Sequence, residues 1–168
     1  MKRRTTPRLG CALLPLAFLL WDATAASNAP PGHYTLTTNT ALDNRTGLRW
    51  MRGFHTKGSS GALGFVDAAQ GCQTLTLDSF SGWRLPTARE LDSLYDPRHD
   101  SKARMIDETV FSFPATLGGQ DFWSSTPVPG APTSVEGRNY YPRSYNTTNR
   151  LPMSKTEDFG GARCVRGP

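Results

Sequence analysis

The chain has 168 residues, of which 20% are charged and 37% hydrophobic, and carries a formal charge of +5. Four of its 19 basic residues fall within the first eight positions, and setting aside residues 1–26 leaves 15 basic against 13 acidic side chains. That near balance excludes the clustered basic footprint of a nucleic-acid binder, and no later stretch is apolar enough to span a bilayer.

Lys2, Arg3, Arg4 and Arg8 precede an apolar run from Cys11 to Trp21 that ends in Ala23-Thr24-Ala25-Ala26. This order of charge, apolar run and small residues predicts a secretory signal peptide over residues 1–26. Cys11 stands ahead of the apolar run, so no lipid-anchored cysteine is expected at the cleavage point. About 142 residues remain, enough for one domain. Residues 27–33 are Pro- and Ser-containing and predict a flexible lead-in, with the fold over 34–168.

Tyr34-Thr35-Leu36-Thr37 and Leu48-Arg49-Trp50-Met51-Arg52 alternate like strands, and Asp43-Asn44-Arg45-Thr46-Gly47 between them supplies turn chemistry. Residues 53–64 are rich in Gly and Ser and predict a loop. Phe65, Ala68, Ala69 and Cys72 then recur at helical spacing, which puts Cys72 on a buried face. A second helix is predicted to start near Ala88: Thr87 is placed as an N-cap, Glu90 completes a capping box, and Pro86 can staple to Leu91. Leu91, Leu94 and Tyr95 share its apolar face, and Asp96-Pro97 ends it. Prolines 114, 127, 129, 132, 142 and 152 punctuate the rest and predict short strands with long loops, with 122–125 and 162–166 the best strand candidates. Cys72 and Cys164 are the two cysteines beyond the leader, and in an exported protein such a pair is most simply a disulfide. Two separate buried thiols are the alternative.

Four segments in order carry a resemblance: Asp43-Asn44-Arg45-Thr46-Gly47-Leu48-Arg49-Trp50, Gly82-Trp83-Arg84-Leu85-Pro86-Thr87-Ala88-Arg89-Glu90-Leu91, Phe122-Trp123-Ser124-Ser125-Thr126-Pro127 and Ala162-Arg163-Cys164-Val165-Arg166-Gly167. Together they resemble the Lcl C-terminal domain family, named for a domain of a bacterial collagen-like adhesin. The resemblance implies an α+β, C-type-lectin-like fold. It would have two helices, a small antiparallel sheet with first and last strands side by side, long ligand-carrying loops, and a bridge from Cys72 to Cys164. The Arg84-Leu85-Pro86-Thr87 wording is also similar to the formylglycine-generating-enzyme branch of that superfamily.

Each candidate chemistry has a plainer alternative. Oxidase chemistry needs a free thiolate, and both cysteines are expected in the bridge. Ser124 and Ser125 lie in no nucleophile elbow, and His33, His55 and His99 lack triad or zinc spacing, so no catalytic residue, metal or cofactor is assigned. Asp92, Asp96, Asp100, Asp107 and Glu108, with His99, have the oxygen ligands calcium prefers, but no EF-hand spacing, and a solvated face balanced by Arg98, Lys102 and Arg104 is expected. Trp50, Trp83 and Trp123 adjoin strand and helix signals, and core packing is expected over sugar stacking. Asn44-Arg45-Thr46 and Asn146-Thr147-Thr148 fit the glycosylation sequon, which bacteria seldom use.

The stretch around residues 138–150 has the composition of a binding loop. Tyr140, Tyr141 and Tyr145 supply rigid amphipathic rings, Asn139 adds hydrogen bonding, and Arg138, Arg143 and Arg150 add forks suited to carboxylate or sulfate. Those seven residues are the predicted ligand site, within a region from Pro127 to Gly161; an ordinary polar loop is the alternative. The expectation is a non-catalytic, periplasmic or secreted domain that binds anionic polysaccharide or glycosaminoglycan-like chains. The second reading is a protein-interaction module of the bacterial envelope or surface, and the third an enzyme of the sulfatase-activating branch.

Overall fold

In a computed structural model, residues 29–56, 62–96, 105–113, 121–139, 150–158 and 160–168 are described. Three short strands come first, β1 (Tyr34–Leu36), β2 (Thr40–Asp43) and β3 (Arg49–Met51). Helices α1 (Phe65–Gln73) and α2 (Ala88–Asp92) follow, then β4 (Asp121–Val128), β5 (Ala131–Asn139), β6 (Arg150–Ser154) and β7 (Val165–Arg166). The class is α+β, with two small antiparallel sheets, ordered β1-β2-β3-β7 and β4-β5-β6.

The first sheet departs from the expected two-strand arrangement because β2 intervenes. Thr40, Ala41 and Asp43 are all buried, so β2 lacks the in-out alternation that marks a strand. The turn into β3 forms as its chemistry requires: Asp43 Oδ1 accepts from the Arg45 and Thr46 amides at 2.9 and 3.3 Å, and Gly47 closes it at φ +73°. The last strand lies beside β3, not beside the first strand, with Trp50 opposite Val165.

Helix α1 starts at Phe65 and buries Ala68 and Cys72 fully. Cys72 bonds to Cys164, 92 residues away, with Cα atoms 5.4 Å apart. The capping box of α2 is complete: the Glu90 amide donates to Thr87 Oγ1 at 3.2 Å, and the Thr87 amide donates to Glu90 Oε2 at 2.7 Å. Arg84 adds a two-pronged contact to the same carboxylate, at 2.8 and 2.7 Å. Burial pushes the Glu90 carboxyl up, but these donors outweigh it and hold it below the ordinary range. The helix ends at Asp92, earlier than Asp96-Pro97 suggested; Leu91 and Leu94 are buried, whereas Tyr95 is 36% exposed and leaves the apolar face.

The prolines interrupt the second half less than expected, since β4 and β5 form a hairpin of eight- and nine-residue strands. Pro127 and Pro152 lie on the two outer strands of their sheet, where a missing amide is tolerated, and Pro127 falls at a register irregularity. Pro132 precedes the stretch of β5 that pairs with β6, which begins at Ser134. Pro129 and Gly130 make the hairpin turn, Gly130 supplying φ +76°.

Two buried clusters tie the parts together. One packs Trp50, Val165 and Ala41 of the first sheet against Leu91, Ile106, Phe111 and Phe122. The other packs Ala68 and Cys72 against Trp83, Trp123, Val135, Met153 and Cys164. The segment from Gly160 to Val165 joins both: Gly161 pairs with β4, Ala162 exchanges hydrogen bonds with His55, and Val165 with Arg84. Gly160 has no room for a Cβ, which would come within 2.6 Å of the Asp121 carbonyl oxygen.

Candidate functional site

The predicted binding stretch is the connection between β5 and β6. These strands stay in register from Ser134 opposite Ser154 to Arg138 opposite Arg150, so the connection leaves and returns on adjacent strands. Asn139 ends β5 and Arg150 begins β6. Tyr140, Tyr141, Arg143 and Tyr145 lie outside the described residues, as do the side chains of Asn139 and Arg150.

Arg138 has a described side chain, and it is not offered to solvent. It is 3% exposed, and its Nε and Nη2 hold the Asp92 carboxylate at the end of α2. Its Nη1 donates to the Gly137 carbonyl at 2.8 Å, and Nη2 also donates to Glu136 Oε2 at 3.2 Å. Burial opposes its charge, but the Asp92 and Glu136 carboxylates more than compensate and raise its pKa. Arg138 therefore pins the stem of the connection to α2, which corrects its expected place among ligand-facing forks. The partner that buries Arg138 is a carboxylate 46 residues away, which no local pattern in the sequence marks.

The other predicted residues divide by environment. Trp50, Trp83 and Trp123 are core residues, with Trp83 Nε1 donating to the Phe80 carbonyl and Trp123 Nε1 to the Leu63 carbonyl, each at 2.8 Å. Ser124 donates to the Glu136 carbonyl and Ser125 to the Pro86 carbonyl. In the acidic stretch, Asp92 serves Arg138, while Asp107 Oδ1 accepts from the Thr109 amide and hydroxyl at 3.0 and 2.6 Å. His99 and Asp100 lie outside the described residues, and among the described ones no group of three or more His, Cys, Asp or Glu is arranged to hold a metal. His33 Nε2 lies 3.5 Å from Asp43 Oδ1. The Tyr34 hydroxyl is held protonated far beyond the ordinary tyrosine range by burial and by Asp43 and Asp107.

His55 has a pH-dependent consequence. Among the described residues its Nε2 is buried without a hydrogen-bond partner, its ring lies 3.9 Å from where a Cβ on Gly71 would be, and burial lowers its pKa. The unfolded chain therefore binds this proton more readily than the folded one. Stability contributed by neutral His55 is intact above about pH 6.5 and falls as pH drops through that value, levelling off below the folded pKa. Urea midpoints of the wild type and His55→Gln between pH 7.5 and 5 should converge as this slope disappears in the variant; equal slopes would contradict the assignment.

A polar cleft of about 330 Å³ was not visible in the sequence, because its walls come from four separate segments. Arg52 shapes it, donating from Nε to the Val110 carbonyl at 3.0 Å and from Nη1 to the Thr37 and Thr38 carbonyls at 2.9 and 3.2 Å. Asp78 holds the adjoining turn, its Oδ2 accepting from the Asn39 amide at 3.0 Å. The Thr37 hydroxyl and the Asn39 donors keep the Asp78 carboxyl below its ordinary range. Its lining offers hydroxyl, amide and backbone groups that can hydrogen-bond a polar ligand, and the Thr109 hydroxyl there is held by Asp107.

Among the described residues no helix is long and apolar enough to cross a membrane. Comparison with curated proteins and with solved structures gave no match. Comparison with protein families matched the Lcl C-terminal domain over residues 39–166, which spans every quoted segment except the final glycine, Gly167. The chain belongs to the Lcl C-terminal domain family.

Proposed function

We propose that this is an exported, non-catalytic domain of C-type-lectin-like fold that binds anionic polysaccharide through the connection between β5 and β6. The observation that carries the reading is the stem: two strands in unbroken register, clamped to α2 by Arg138, support a segment rich in Tyr, Asn and Arg. A rigid scaffold under a loop of that composition is the usual arrangement of a recognition surface. The lectin-like fold is supported by a bridge running from the first helix to the segment before the last strand. Export, to the periplasm or the medium, is supported by the same bond, because reducing compartments seldom keep one. A non-catalytic role is supported by the use of both cysteines in that bond, which leaves the oxidase chemistry of the enzyme branch without a thiolate there.

The test is retention on immobilised heparin as an anionic polysaccharide probe. The folded protein should be retained at low salt and elute as salt screens the charges. Arg143→Ala and Arg150→Ala should each weaken binding about tenfold, the effect of one charged hydrogen bond of ~1.5 kcal/mol. Absence of retention at low salt would overturn the reading. Arg138 is excluded from the test set because its loss would damage the stem.

A further inference from the structure

We infer a separate oxyanion-binding site on the first sheet, built from Arg49, Arg166 and Phe80. Arg49 on β3 and Arg166 on β7 are direct cross-strand partners, next to the buried pair Trp50 and Val165. Strand alternation sends both arginines to the face opposite that pair. Their guanidinium carbons lie 4.2 and 5.0 Å from the centroid of one ring, that of Phe80. All three side chains are half-buried and so reachable from solvent.

Like charges directly opposite one another weaken a strand pair, and proteins usually relieve this with a carboxylate. Arg84 and Arg138 of this chain have such carboxylates. Arg49 and Arg166 do not: among the described residues Arg49 donates to Thr40 Oγ1 at 3.0 Å and stacks on Phe80, and Arg166 stacks on Phe80. Their repulsion is left for an anion from outside to neutralise, and each guanidinium keeps unused donors for it.

Phe80 is placed by a strained turn. Leu77 and Phe80 exchange backbone hydrogen bonds at 3.0 and 2.8 Å across Asp78 and Ser79, at φ +49° and +66°. Neither is glycine, and the left-handed conformation is costly for a side chain-bearing residue. The turn is held from both sides, by Asn39 on Asp78 and by Trp83 Nε1 on the Phe80 carbonyl. A ring fixed this way keeps the two cations together with their forks in place, which lowers the ordering cost of binding. The expected ligand group is a carboxylate, sulfate or phosphate, free or carried on a polymer. The site uses none of the residues of the β5 to β6 connection and stands or falls separately from it.

The experiment is a titration of the disulfide-intact protein with sodium sulfate at constant ionic strength, read by the arginine Nε–H signals in NMR. Arg49 and Arg166 should shift together and saturate, at least tenfold tighter than exposed Arg89 on α2. Arg49→Gln or Arg166→Gln should weaken sulfate at least tenfold at the remaining arginine, and Phe80→Leu should weaken it at both. The double variant Arg143→Gln, Arg150→Gln should leave it unchanged, whatever happens to heparin retention. Unsaturated shifts matching those of Arg89, or sulfate binding unaltered by loss of either arginine, would overturn the site. A second titration with a heparin tetrasaccharide separates the sources: shifts at the same two signals mean a polymer-borne anion, and shifts with inorganic sulfate alone mean a free one.

Discussion

Replacing Cys72 and Cys164 together by Ala is expected to lower stability by ~4 to 5 kcal/mol, the loop-closure entropy of a link this long. The bond closes a loop across 92 residues of separation that contains α2 and the whole β4-β5-β6 sheet. Both half-cystines are fully buried in the cluster that contains Trp83 and Trp123, so unpaired thiols would also disturb packing. Since small domains have a total stability of ~5 to 15 kcal/mol, the variant should sit near its threshold and unfold at a much lower urea concentration. A loss below about 1 kcal/mol would mean that the bond adds little to a fold already closed by its sheets.

Arg163→Ala is expected to be as damaging, at ~4 kcal/mol or more, because it combines a cavity with buried acceptors left unpaired. Arg163 is fully buried beside Cys164. Its Nη1 donates to the carbonyls of Met51, Arg52 and Gly53 at 3.2, 2.7 and 2.7 Å, and its Nη2 to the Ser112 carbonyl at 2.9 Å. The guanidinium also lies 5.0 to 5.2 Å from the ring centroids of Phe111, Phe113 and Phe122. One side chain thus fastens the final segment to the end of β3 and to residues 111–113. Arg163→Lys should recover little, because an ammonium is a point donor and cannot serve a spread of carbonyls in the plane of a fork. Denaturation curves and protease resistance of the two variants would test this, and a lysine variant as stable as the wild type would show that charge, not fork geometry, is what matters there.

The parts of the fold legible in the sequence are those fixed by local chemistry. Thr87 and Glu90 are three residues apart and announce α2 by a hydrogen-bond mechanism that needs no tertiary partner. Phe65 to Cys72 announce α1 by spacing, and 43–47 announce a turn by composition. The strand β5 was illegible for a physical reason: its Pro, Ser and Gly have poor strand propensity, and it is a strand because β4 and β6 pair with it on both sides. Gly137 belongs there because a Cβ would collide with Met153, a cross-strand requirement that leaves no local trace. The same distinction governs the sites. The composition of residues 138–150 could be read, but the burial of Arg138, the facing of Arg49 and Arg166, and the cradle around Arg163 depend on partners tens of residues away.

If the β5 to β6 connection receives an anionic chain, a bound heparin oligosaccharide should change hydrogen exchange there. Exchange is expected to slow in peptides covering residues 139–150, and salt should reverse the effect. Unchanged exchange across those residues at saturating oligosaccharide would contradict it.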